Sequence, residues 1–170
     1  IQISNSAPIR YAQLFPAKAG WQVFCNRGTS GIDGSTSTAI GASVVQSTPT
    51  LLITGDLSFF YNSNALWCNY IPKNLKIIVV NNAGGGIFRI LPTDKGTPFF
   101  ETFQETTHSL TAKHLCAMYG FTYLCAQNQE ELTKTLETFF SQYESPMLLE
   151  VFTPRELNNT ILKDYFNVLS

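Results

Sequence analysis

Ile77-Ile78-Val79-Val80-Asn81-Asn82-Ala83-Gly84-Gly85-Gly86 decides the fold class. Its first four residues are apolar at every position, the pattern of a strand covered on both faces in a parallel sheet. Asn and Gly then end the strand, and both suit turns in which backbone comes close to a ligand. Working outward, residues 22–25, 51–54 and 147–152 read as further buried strands, and 121–124 as a weaker one. Helical patterns fall between them. Asn128 caps a helix with Glu131 three residues on, and Leu132, Leu136, Phe139 and Phe140 mark one face. Residues 36–46 are a small-residue helix, while 58–69, 111–119 and 155–168 also read as helical. Ser6 and Pro8 open a first helix that ends near Pro16. Alternating strands and helices predict an α/β fold, a central parallel sheet with helices on both faces. Ligands of such sheets bind beyond the carboxyl ends of the strands.

The 170 residues suit one domain with a real core, spanning 1–170. Lys and Arg total 11 against 12 Asp and Glu, and no basic stripe exists, which argues against nucleic acid and anionic membranes. Charged residues make up only 14% of the chain, against about 25% in an ordinary soluble domain. Part of the exterior is therefore expected to lie under other protein. Cys25, Cys68, Cys116 and Cys125 form no metal-spaced pair and read as buried, reduced thiols of a cytoplasmic protein. No apolar run is long enough to span a bilayer. The chain opens on Ile1 without a Met, which suggests a piece of a longer polypeptide.

Gly55-Asp56-Leu57-Ser58 follows the run at 51–54 and precedes a helix. Gly55 permits a tight turn, and amides at a helix start favour a phosphate. Asp56 would repel a bare phosphate, so an acid there makes sense with a divalent cation between them. By itself Asp56 reads more readily as a helix cap than as a metal ligand. In the second segment, Asn82 offers a neutral oxygen and the glycines offer backbone carbonyls. Carboxylate, amide, carbonyl and diphosphate oxygens together suit Mg²⁺, which takes six oxygens. A dinucleotide reading fits worse, because Gly84-Gly85-Gly86 lacks the required spacing.

Asp56 and Asn82 lie 26 residues apart, with a helix and a strand between them. Here the sequence resembles the thiamine-diphosphate (ThDP)-dependent enzymes, whose hallmark is Gly-Asp-x followed by Asn or Asn-Asn at that distance. The resemblance implies that Asp56, Asn82 and the Gly84 carbonyl ligate Mg²⁺ or Mn²⁺. It further implies that Gly31, Ile32, Gly55, Leu57, Ser58, Gly85, Ile87 and Phe88 line the cofactor site. Leu57 stands where most of the family has Gly. That departure, with the stretch Asn26-Arg27-Gly28-Thr29-Ser30-Gly31-Ile32-Asp33-Gly34 and with Gly84 to Phe88, is similar to one subfamily. It comprises the 2-succinyl-5-enolpyruvyl-6-hydroxy-3-cyclohexene-1-carboxylate (SEPHCHC) synthases of menaquinone biosynthesis.

That likeness covers most of the chain, is strongest over residues 4–91, and corresponds to the carboxyl-terminal third of those enzymes. It implies a transferase that decarboxylates 2-oxoglutarate and adds the resulting carbanion to isochorismate. Ile32 resembles the apolar wedge that bends the cofactor, although its periodicity alone suits a core isoleucine. Arg27 and Arg10 match arginines that bind substrate carboxylates, and Ser6 matches a serine of the same pocket. A guanidinium grips a carboxylate with two parallel hydrogen bonds. Ile87 and Phe88 either close over the cofactor or begin the next helix. The amino-terminal pyrimidine-binding domain and its activating glutamate lie outside the chain. They are expected from a second subunit of a homodimer or tetramer, and the isolated domain is expected to be inactive. The alternatives are another ThDP-dependent decarboxylase or acetolactate synthase, or a non-catalytic α/β module binding a nucleotide or protein. Lys113, His108 and His114 carry no signal separable from surface residues.

Overall fold

The computed structural model describes residues 1–169. Six strands form one parallel sheet: β1 (Gln2–Ile3), β2 (Phe24–Cys25), β3 (Thr50–Gly55), β4 (Leu75–Asn81), β5 (Thr122–Ala126) and β6 (Met147–Phe152). Their spatial order is β2-β1-β3-β4-β6-β5, and every pairing is parallel. The central strands β3, β4 and β6 are the ones whose sequences are most continuously apolar, as two-sided burial requires.

The helices are α1 (Ala7–Ala12), α2 (Ser35–Val44), α3 (Asp56–Tyr61), α4 (Lys113–Tyr119), α5 (Gln129–Ser141) and α6 (Leu157–Leu169). One core joins Ala39 and Ile40 of α2, Phe59 of α3 and Cys116 of α4 to Leu52, Ile77, Val79 and Leu148. The opposite face packs Leu132, Leu136 and Phe139 of α5 on Leu51, Ile78, Met147, Leu149 and Val151. Fully burying each of the larger aliphatic and aromatic side chains contributes about 1.5–3 kcal/mol. Helices thus cover both faces, as the sequence predicts. Asn128 caps α5 by accepting the Glu131 N–H at 2.9 Å.

Several boundaries differ from the expectation. The edge strand β2 is only two residues long, matching its one neighbour β1, which offers only Gln2 and Ile3 to pair with. Helix α1 stops at Ala12, and α3 begins at Asp56 and ends at Tyr61. A 3₁₀ turn, Ser63–Trp67, replaces the rest of the helix expected over 58–69. Phe140 is exposed, which narrows the α5 apolar face to three positions. The cysteines are free, yet only Cys116 is buried; Cys25 and Cys68 are half-buried and Cys125 is exposed. Burial and the nearby Glu150 push the Cys116 thiol up to about 12. No helix among the described residues is long and apolar enough to cross a membrane.

Candidate functional site

The carboxyl ends of β1, β2, β3 and β4 all lead into polar or glycine-rich loops, and these loops meet. Gly55 closes β3 in extended conformation, so that Asp56 opens α3 with its carboxylate turned inward, 2% exposed. Asp56 Oδ1 accepts the Leu57 N–H at 2.7 Å, and Oδ2 accepts the Gly84 N–H at 2.9 Å. The second bond brings the β3 and β4 loops together. Burial is the largest influence on Asp56 and pushes its carboxyl above the ordinary range. The N–H groups of Leu57, Gly84 and Asn82, with the nearby His108, pull the other way without offsetting it. Relative to the unfolded chain, folding by itself therefore makes the acid easier to protonate. That contribution is full below the unfolded carboxyl pKa of about 3.9 and is lost as pH rises through the raised folded value. A bound cation would compensate the buried negative charge.

The β4 loop is shaped by its own residues. Ala83 and Gly84 take positive φ, 61° and 152°. A Cβ at Gly84 would lie 2.9 Å from the Glu105 carbonyl oxygen, so glycine is required there. A Cβ at Gly86 would lie 2.6 Å from Asn82 Nδ2, so glycine at 86 is what leaves room for the Asn82 side chain. Gly85 donates its N–H to the Glu105 carbonyl at 2.6 Å. Ile87 and Phe88 sit half-buried in a 3₁₀ turn, Gly86–Arg89, instead of starting an α-helix. Arg89 pairs with the fully buried Glu105 carboxylate through both Nε and Nη2, which anchors the turn.

The β1 and β2 loops form the other wall. Ser6 has φ 78° and ψ −135°, a strained conformation for a residue with a side chain. Its carbonyl accepts Arg10 Nη1 at 2.8 Å. Arg27 is exposed, and its Nη1 donates to Asn5 Oδ1 at 2.5 Å. Asn5 is itself buried and donates to the Ser30 carbonyl. Ser58 Oγ donates to the Ile32 carbonyl at 2.6 Å, which seats the loop holding Gly31 and Ile32 over the start of α3. Beside the site lies an apolar cavity of about 400 Å³, walled by Ala7, Pro8, Tyr11 and Ile161 together with Asn82 and Gly86.

The fourteen residues expected at the site lie at the carboxyl end of the sheet, most of them on loops or helix starts; Gly55 is the last residue of β3 and Arg10 stands in the last turn of α1. Three further residues belong with them. Asn5 aims Arg27. His108 Nε2 lies 3.2 Å from Asp56 Oδ2. Asn81, beside Asn82, is buried: its Nδ2 donates to Glu150 Oε1 at 2.8 Å and to the Leu110 carbonyl at 3.0 Å, and its Oδ1 accepts the Ala83 N–H at 3.0 Å. The signal for it was Glu150, an acid inside an apolar run that must find donors. Lys113 and His114 are exposed, as expected of surface residues.

The donor set available around Asp56 consists of a carboxylate, a side-chain amide and backbone carbonyls, all hard oxygens that fit a Mg²⁺-type cation. Among the described residues no three His, Cys, Asp or Glu side chains cluster as a softer metal would prefer.

Residues 6–151 match the family described as thiamine pyrophosphate enzyme, C-terminal TPP binding domain. The chain belongs to that family. Relatives of this TPP-binding domain carry the name SEPHCHC synthase. The one from Christiangramia forsetii is 55% identical over 169 residues, 99% of this chain and 29% of the relative. That from Flavobacterium johnsoniae is 56% identical over 170 residues, 100% of this chain and 31% of the relative. That from Porphyromonas gingivalis is 46% identical, again over 100% of this chain and 30% of the relative. The TPP-binding domain therefore spans under a third of the length of these relatives. A ThDP-dependent 4-hydroxybenzoylformate decarboxylase from Rhodococcus jostii RHA1 shares the fold, with TM-score 0.69 at 21% identity over 91% of this chain and 29% of its own.

Proposed function

We propose that the chain is the ThDP- and Mg²⁺-binding domain of a SEPHCHC synthase, an enzyme that decarboxylates 2-oxoglutarate and joins the remainder to isochorismate. The observation that carries this reading is the hydrogen bond from Gly84 N to Asp56 Oδ2, which unites the two halves of the motif beyond the strand ends. The names and the high identity of the relatives support the choice of reaction.

Asp56, the Asn82 amide and the Gly84 carbonyl would hold the cation, and the amides that open α3 would face the diphosphate. Bound ThDP supplies the electron sink for decarboxylation; the protein supplies binding, orientation and electrostatics. Ile32 would press on the cofactor from the β2 loop. Arg27 and Arg10, with Ser6, would grip the substrate carboxylates, each guanidinium already steadied by one neighbour. Ile87 and Phe88 would exclude water from above, on a turn fixed by the Arg89–Glu105 pair.

Other protein is proposed to cover one side of this domain. Tyr61, Trp67 and Phe103, each 71% exposed, support that reading, since large exposed apolar surface marks a contact with other protein. The proposed partner is a pyrimidine-binding domain elsewhere in the assembly, which supplies the activating glutamate. The complete enzyme should consume 2-oxoglutarate and isochorismate with release of CO₂, and the purified 170-residue chain should release none with saturating ThDP and Mg²⁺. Sustained CO₂ release by the chain alone would contradict the composite site.

Gly86→Ala provides a local test. The new Cβ meets only the tip of the Asn82 side chain, so the fold should survive while the amide is pushed aside. Mg²⁺-dependent ThDP affinity should fall by at least about 10-fold, with little change in the melting temperature of the cofactor-free enzyme. Unchanged affinity would remove Asn82 from the ligand set.

A further inference from the structure

We infer that His108 is a positioning residue of the Asp56 centre, holding the carboxylate in place for the cation through its Nε2–H. This inference rests on the proposed metal site. His108 is fastened on three sides. Its backbone N–H donates to the Ala83 carbonyl at 3.2 Å, which ties it to the loop carrying Asn82 and Gly84. Its Nδ1 accepts the Leu110 N–H at 3.1 Å. Its ring stands edge-on to Phe60, with centroids 5.4 Å apart and planes at 87°.

The atom left over is Nε2. It lies 3.2 Å from Asp56 Oδ2, yet outside hydrogen-bond alignment, on a side chain only 10% exposed. A buried polar atom without an aligned partner calls for an explanation. Because Nδ1 is engaged as an acceptor, the neutral ring carries its proton on Nε2. In that tautomer the lone pair of Nδ1 is taken up by Leu110, so His108 is a donor to the site and no metal ligand. Asp56 Oδ2 then has two donors beside it, Gly84 N and His108 Nε2, while Oδ1 has Leu57 N. Donors on both oxygens fix the plane of the carboxylate before a cation arrives. Outer partners of this kind typically change metal affinity 10–100-fold when they are removed.

The test is calorimetric titration of ThDP into the complete enzyme at stepped Mg²⁺ concentrations, for wild type, His108→Ala, His108→Phe and His108→Gln. Phenylalanine keeps the ring against Phe60 and loses the donor, so it carries the test should the alanine variant fail to fold. Glutamine presents an N–H near the position of Nε2. The expected result is a 10–100-fold rise in the Mg²⁺ concentration needed for half-saturation with Ala and Phe, and recovery of most of that loss with Gln. Affinity that is unchanged or tighter in the Ala and Phe variants would overturn the inference, the latter because His108 would then be competing with the cation. Failure of Gln to restore affinity would also overturn it, leaving a packing role. Were wild-type ThDP binding independent of Mg²⁺, the metal site itself would fall, a result distinguishable from any of these.

Discussion

Arg27→Ala in the complete enzyme should lower kcat/KM by a factor corresponding to about 2–4 kcal/mol, the usual cost of truncating one partner of a desolvated, hydrogen-bonded charge pair. A solvated surface arginine would change it by less than about 0.5 kcal/mol. The structure favours the larger figure despite the exposure of Arg27 in this chain. Buried Asn5 takes one guanidinium nitrogen at 2.5 Å and is itself tied to the Ser30 carbonyl. One edge of the fork is thereby fixed and the other is left for a substrate carboxylate. Arg27→Lys keeps the charge and loses the fork, so it should fall between wild type and alanine. ThDP affinity should barely move in either variant. Steady-state kinetics with each substrate varied in turn are the check. Unchanged kcat/KM for both would return Arg27 to the surface and weaken the SEPHCHC synthase reading.

A comparable effect, on stability, is expected of Glu150→Ala. Glu150 is 0% exposed on β6 and accepts from Asn81 Nδ2 at 2.8 Å, Thr111 Oγ1 at 2.6 Å and Tyr123 OH at 2.8 Å. It also accepts the Ala112 N–H at 3.1 Å, at the start of α4. Removing the carboxylate takes the acceptor from four donors, of which Thr111 and Tyr123 are partly buried and lie 3.3 Å apart, close enough to pair with each other; each donor left unpaired in the interior costs about 1–3 kcal/mol. A loss of about 3–5 kcal/mol is expected, read by denaturant unfolding of the complete enzyme. Glu150→Gln should lose less, because its amide oxygen still accepts. A loss within about 0.5 kcal/mol for alanine would show that the network bears little weight.

The Asp56–Asn82 pair was legible through its resemblance to the Gly-Asp and Asn hallmark of the ThDP-dependent enzymes; either residue alone was a weak signal, since an acid at a helix start and an Asn before glycines are both common. The sheet's class was legible from the apolar runs. Its order was not: β1 is two residues long, too short to show any period, yet it sits between β2 and β3 and carries Ser6 and Asn5 on its exit. His108 escaped for a different reason. It returns to Asp56 through an irregular segment that includes a π-helical turn, Phe100–Gln104, and no local pattern marks such a return. Asn5 and Glu105 likewise gain their roles only from tertiary contacts. The cysteines were misjudged because apolar neighbours in sequence do not decide which face of an edge strand or helix is covered. Cys125 points outward from the edge strand β5.

Titration of ThDP into the complete enzyme with and without Mg²⁺, for wild type and Asp56→Ala, tests the central claim most directly. Wild type should bind tightly only with Mg²⁺, and Asp56→Ala should lose most of that binding at any Mg²⁺ concentration used. Normal Mg²⁺-dependent ThDP binding by Asp56→Ala would contradict it.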